Sequence, residues 1–145
     1  MTSPTPPAVR RILETSLYVA SLDRSAAFYH RLFGFEVLRR DERMCALAVP
    51  ARQVLLLFAR GGSAEPSTMP FGVVPPHDGR GTQHLCFAID RAAFDTWAEH
   101  LAREGVAVES RVDWPAGGSS LYFRDPDQHS LEVATPGQWA NDPII

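Results

Sequence analysis

The sequence predicts an α+β fold built from two copies of a βαβββ module. Three observations carry that prediction: short β-rich segments outnumber amphipathic stretches, each amphipathic stretch ends at a glycine, and the order of elements repeats at a fixed offset. The copies open at Glu14 and His84, 70 residues apart, and their helix-ending glycines, Gly34 and Gly105, lie 71 apart. An internal duplication is the simplest explanation.

In residues 13–19, Glu14, Ser16 and Tyr18 alternate with Leu13, Thr15, Leu17 and Val19, the period-two pattern of a strand with unlike faces. Asp23 then offers an N-cap, Ala27, Phe28, Leu32 and Phe33 recur at helical spacing, and Gly34 supplies a left-handed stop. Short apolar segments at 35–39, 45–49 and 54–59, separated by charged or proline-containing turns, predict three antiparallel strands. The second copy repeats the order. Residues 84–89 are apolar and β-rich, and a helix from about Arg91 carries Phe94, Trp97, Ala98 and Leu101 as one stripe up to Gly105. Strands follow at 106–110, 119–124 and 130–134, the last two joined by the turn-prone run Asp125-Pro126-Asp127-Gln128. Residues 60–81 are rich in glycine and proline and read as a connection, either an inert linker or a lid over a pocket.

Composition excludes several classes. A chain of 145 residues, 45% hydrophobic, suits one compact domain spanning 12–136, with modules at 12–59 and 82–136. A net charge of -3 offers no field for a nucleic acid. The apolar runs fall far below the roughly 20 residues that cross a bilayer. Residues 1–10 hold three prolines and no apolar core like that of a signal peptide, so the expected location is cytoplasmic, with a disordered tail at 1–11 and a C-terminal tail at 137–145. Cys45 and Cys86 are too few for a disulfide framework and are expected to be reduced.

Three polar residues stand in otherwise apolar strands. Glu14 and His84 hold equivalent places in the two copies, and Glu132 lies in the last strand. Burying unpaired carboxylates costs several kcal/mol each, and a divalent cation held by two carboxylates and one neutral imidazole offsets that cost. The alternative reading makes Glu14 and Glu132 edge-strand surface residues and His84 a satisfied core histidine.

The stretches Glu14-Thr-Ser-Leu-Tyr-Val19, Ala27-Phe-Tyr-His-Arg-Leu-Phe-Gly34 and Tyr122-Phe-Arg-Asp-Pro-Asp-Gln-His-Ser-Leu-Glu132 resemble the vicinal oxygen chelate superfamily, which holds glyoxalases, fosfomycin- and bleomycin-resistance proteins and extradiol dioxygenases. The resemblance implies a cupped, eight-stranded mixed sheet around a metal, one helix per module outside it, and a homodimer. It implies Glu14, His84 and Glu132 as ligands to Mn, Fe, Zn or a similar divalent ion, and a small substrate chelated through adjacent oxygens. Ser16 matches the family's strand-one hydroxyl residue and Ser120 with Tyr122 its substrate-facing pair, which makes Ser16 and Tyr122 the candidate catalytic residues, Tyr122 being an acid or hydrogen-bond donor or else a core aromatic.

Departures from the family pattern discriminate among its members. The fourth ligand of glyoxalase-type isomerases falls at Leu56, which cannot ligate, so oxygen-dependent or addition chemistry is favoured over isomerisation. The extradiol acid-base histidine is missing from Asp113-Trp-Pro-Ala116, and His77 and His129 are its possible loop substitutes or solvated loop residues. No Lys or Arg occurs in 114–120, where the fosfomycin enzymes hold a phosphonate, and Arg124 alone shares the face of Tyr122. Cys86 is a pocket residue or a buried thiol, Trp114 and Phe71 an aromatic wall or packing, and Arg80 an anion contact or a solvated side chain. The competing function is a metal-free, bleomycin-resistance-like protein that sequesters an antibiotic.

Overall fold

A computed structural model describes residues 3–145; residues 1 and 2 of the expected tail lie outside that range, and 3–10 are exposed without helix or strand. The first copy runs β1 (Glu14–Val19), α1 (Leu22–Phe33), β2 (Val37–Arg40), β3 (Met44–Val49) and β4 (Gln53–Ala59). The connection contains a hairpin, β5 (Ser67–Met69) and β6 (Gly72–Val74). The second copy runs β7 (His84–Ala88), α2 (Phe94–Arg103), β8 (Ser110–Asp113), β9 (Ser119–Arg124) and β10 (Ser130–Ala134). No helix among the described residues is long and apolar enough to cross a membrane.

Each copy makes its own four-stranded sheet, in the orders β1-β4-β3-β2 and β7-β10-β9-β8. The β1/β4 and β7/β10 pairs are parallel and the others antiparallel. The eight strands therefore do not form the single hydrogen-bonded cup expected from sequence. Within one chain β1 and β7 each have a strand partner on one side only, and one link between them is a side chain: His129 Nε2 donates to Tyr18 O (2.8 Å) and its Nδ1 accepts from Gln83 N (2.9 Å).

The alternation in β1 sorts its faces as the sequence suggests. Leu17 and Val19 are buried, and with Cys45, Leu47, Leu55, Leu57, Tyr29 and Leu32 they enter a core that also takes Leu101, Leu121, Phe123, Leu131 and Val133 from the second copy. One core thus serves both modules, each fully buried aliphatic side chain contributing about 1.5–3 kcal/mol. The opposite, outer faces carry the polar residues and a smaller cluster of Met44, Ala46, Leu56 and Phe58.

Several boundaries move for local reasons. Ser21, not Asp23, caps α1: its Oγ accepts from Arg24 N (3.2 Å), while Asp23 sits in the first turn and pairs with Arg40 at 2.5 Å. Gly34 ends the helix at φ 74° as predicted. Phe35 does not start β2, because its ring stacks on Phe33 (5.0 Å) in the core and its carbonyl meets His30 Nδ1 (3.1 Å). A short 3₁₀ turn, Arg91–Ala93, precedes α2. The segment expected as a strand at 106–110 first closes that helix, Val106 N bonding Leu101 O (2.9 Å), and pairing starts only at the Ser110 end. The C-terminal segment folds back: Gly137 N bonds Asp142 O (2.8 Å), and Ile144 lies against Gly117, where a Cβ would come within 2.9 Å of it.

Candidate functional site

His84 opens β7 at the first position of the parallel pair with β10, opposite Ser130, and Glu132 lies two residues along β10 on the same outer face. This register brings His84 Nε2 to 3.2 Å from Glu132 Oε1. His84 Nδ1 lies 2.8 Å from Ser130 O. A carbonyl only accepts, so Nδ1 carries a proton, and Nε2 is the ring atom that faces a carboxylate oxygen. Either a proton or a metal ion between Nε2 and the carboxylate satisfies both atoms, and in this sense the pair fits a divalent ion.

Glu132 is 3% exposed. Its Oε2 accepts a short bond from Ser120 Oγ, and Ser120 in turn accepts from Trp114 Nε1 (2.8 Å). Trp114 thus orients the carboxylate through Ser120 and is not a free wall. Desolvation first, and the Glu132 charge second, push the Cys86 thiol up to about 12, so the thiol stays protonated beside the pair. Tyr122 is raised by the same two causes in the same order, and its ring lies 6.1 Å from that of His84.

Glu14 does not join this pair. It lies exposed on the free edge strand β1, opposite Val54, and among the described residues no group of three or more His, Cys, Asp or Glu is placed within one chain to hold a metal ion. Ser16 shares the outer face of β1 and pairs with Leu56. The equivalent pair in the second sheet is Cys86 with Glu132, so Leu56 occupies the place in the first copy that Glu132 occupies in the second.

The loop histidines take different places. His129 is fully buried and joins the two copies, and is not solvated. His77 lies on the outer face of the first sheet, its Nδ1 2.7 Å from Tyr18 Oη and its ring edge-on to Phe58 at 4.4 Å. Gly79 approaches the Tyr18 ring so closely that a Cβ would come within 2.3 Å of it. The end of the connection is therefore docked on the sheet, while Phe71 at its hairpin is 83% exposed. Arg80 lines an open groove of about 610 Å³ with Arg60, Asp78 and Asp127, and an apolar cleft of about 520 Å³ lies among Phe33, Phe35, Phe87 and Trp97. Neither is lined by His84 or Glu132, whose face is open in the single chain.

Comparison with known proteins agrees with this architecture. The chain is 29% identical over 118 residues to the catechol-2,3-dioxygenase of Bacillus subtilis, covering 81% of this chain and 38% of that enzyme, and so spans well under half its length. It is 27% identical to the glutathione transferase FosA of Serratia marcescens over 81% of this chain and 75% of that protein. The crystal structure of a lactoylglutathione lyase from Agrobacterium tumefaciens superimposes with a TM-score of 0.83 at 33% identity, covering 94% of this chain and 99% of that one. These relatives are enzymes of three reaction types. The family model described as glyoxalase/bleomycin resistance protein/dioxygenase superfamily matches residues 11–133, nearly the whole chain, and the protein belongs to that superfamily.

Proposed function

We propose that this protein is a divalent-metal-dependent enzyme acting on a small organic substrate chelated through adjacent oxygens, with Glu14, His84 and Glu132 as the metal ligands. The observation that carries the reading is the His84 and Glu132 pair: an imidazole whose tautomer is fixed by Ser130 O, aimed at a buried carboxylate that Ser120 and Trp114 hold in place. We further propose that two copies complete the site, Glu14 coming from one and His84 with Glu132 from the other, in a homodimer. Support comes from the separation of Glu14 from the pair, from the unpaired edges of β1 and β7, and from the open face around His84.

An ion held there supplies Lewis-acid polarisation of the substrate oxygens. The chain does the rest. Tyr122, raised by desolvation and by Glu132, keeps its proton at neutral pH and donates a hydrogen bond to a bound oxygen. Ser16 offers a second hydroxyl from the other sheet, and Leu56 in the place equivalent to Glu132 leaves coordination positions to the substrate. That vacancy favours dioxygenase, lyase-by-addition or transferase chemistry over four-ligand isomerisation. Metal analysis of protein purified without chelator, beside Glu132→Ala and His84→Ala, tests the proposal. One ion per site in the parent and none in the variants supports it; a metal-free parent under replete conditions, binding a drug as well as Glu132→Ala does, selects antibiotic sequestration instead.

A further inference from the structure

The outer faces of the two sheets carry few positive charges, and one of them is placed there by a backbone irregularity. Val37 pairs with Leu47, so regular alternation would put Arg39 opposite Cys45, on the face that packs against α1. A bulge between Val37 and Arg39 shifts the register by one: Arg39 lies opposite Ala46 and Arg40 opposite Cys45. Arg40 accordingly reaches Asp23 of α1, and Arg39 is turned to the outer face. Among the described residues Arg39 has neither an ion pair nor a side-chain hydrogen bond.

From Arg39 a row runs straight across the sheet through Ala46 and Leu56 to Ser16. Three interstrand steps of about 4.8 Å make it roughly 14 Å long. Ala46 and Leu56 give the row an apolar floor without a competing charge, and an extended arginine arm covers roughly half its length. The equivalent row of the second sheet, Ser110, Tyr122, Glu132 and Cys86, has a serine where the first has Arg39. Arg124, the other cation on the outer faces of the strands, is occupied by Glu109 through two bonds of 2.7 and 3.0 Å.

We infer that Arg39 binds an anionic group of the substrate, so that the substrate class is a small molecule carrying a carboxylate, or a like anion, beyond its pair of adjacent chelating oxygens. The inference rests on the chelating centre proposed above, and the test separates the two. Catechol and 3,4-dihydroxybenzoate share the chelating oxygens and differ by one carboxylate, and each is titrated calorimetrically into the Mn-loaded parent, Arg39→Gln and Arg39→Lys. The expected result is that Arg39→Gln weakens 3,4-dihydroxybenzoate by about tenfold or more and leaves catechol unchanged, with Arg39→Lys between. Equal effects on both ligands, or none on either, overturn the role of Arg39. Failure of catechol to bind the metal-loaded parent overturns the chelating centre and leaves Arg39 to be read from benzoate, which carries only the anion: weaker binding by Arg39→Gln supports the assignment, and no difference overturns it.

Discussion

Replacing Ser120 by alanine probes how the second sheet holds its carboxylate. The Ser120 side chain is fully buried, donates to Glu132 Oε2 and accepts from Trp114 Nε1, so the substitution strips one charge-assisted bond and leaves the indole N–H without its acceptor. A bond to a buried charge is worth about 1.5–3 kcal/mol and an orphaned buried donor costs about 1–3 kcal/mol. Some relaxation and water entry reduce the sum, giving a loss of about 2–4 kcal/mol in urea unfolding. The carboxylate that remains is free to rotate, and loss of such an orienting partner lowers metal affinity by about 10–100-fold. Urea unfolding and Mn titration of Ser120→Ala, with Ser120→Thr retaining the hydroxyl, measure the two effects on one protein. A Ser120→Ala variant that binds Mn within twofold of the parent and unfolds at the same urea concentration refutes the view that Ser120 and Trp114 orient Glu132.

Three other predictions follow from single contacts. His129→Ala removes the bridge between Tyr18 O and Gln83 N and opens a fully buried space, so unfolding measurements show a loss of about 3 kcal/mol with the two modules loosened together. Gly79→Ala drives a methyl against the Tyr18 ring, so the ring must move and the 2.7 Å bond to His77 breaks; the His77 imidazole resonances shift in NMR spectra while those of His129 stay in place. Glu109 is held below the usual carboxylate range, first by its hydrogen bond from Arg124 and then by that group's charge, so the stability it adds is present above its unfolded pKa and is lost as pH falls through the lowered value. NMR titration of the Glu109 carboxyl shows the low midpoint, and Arg124→Gln returns it toward normal.

The sequence carried the modules and their faces, because alternation in β1 and the fixed offset between Glu14 and His84 are one-dimensional signals of burial and duplication. The family resemblance placed the missing fourth ligand at Leu56, and the strand register adds that Leu56 stands where Glu132 stands in the second copy. Arg39 was not legible: its face depends on a bulge that no residue type announces, and unbroken alternation sends it to the wrong side. The Trp114, Ser120 and Glu132 chain was hidden similarly, since Trp114 reaches Ser120 around a turn closed by Gly117 and Gly118. His129 reads as a loop residue in sequence because its burial comes from strands of both modules. Separation of Glu14 from His84 could not be read from equivalence, which fixes where residues sit in each copy but not how the two sheets meet.

Mixing two defective proteins tests the shared site most directly. Glu14→Gln and Glu132→Gln are purified separately, each expected to bind little metal, then mixed in equal amounts, allowed to exchange subunits and titrated with Mn. If one copy supplies Glu14 and the other His84 with Glu132, half the dimers are mixed and each has one intact site, so about one site in four regains parental affinity. A mixture that binds no more metal than its components contradicts the account.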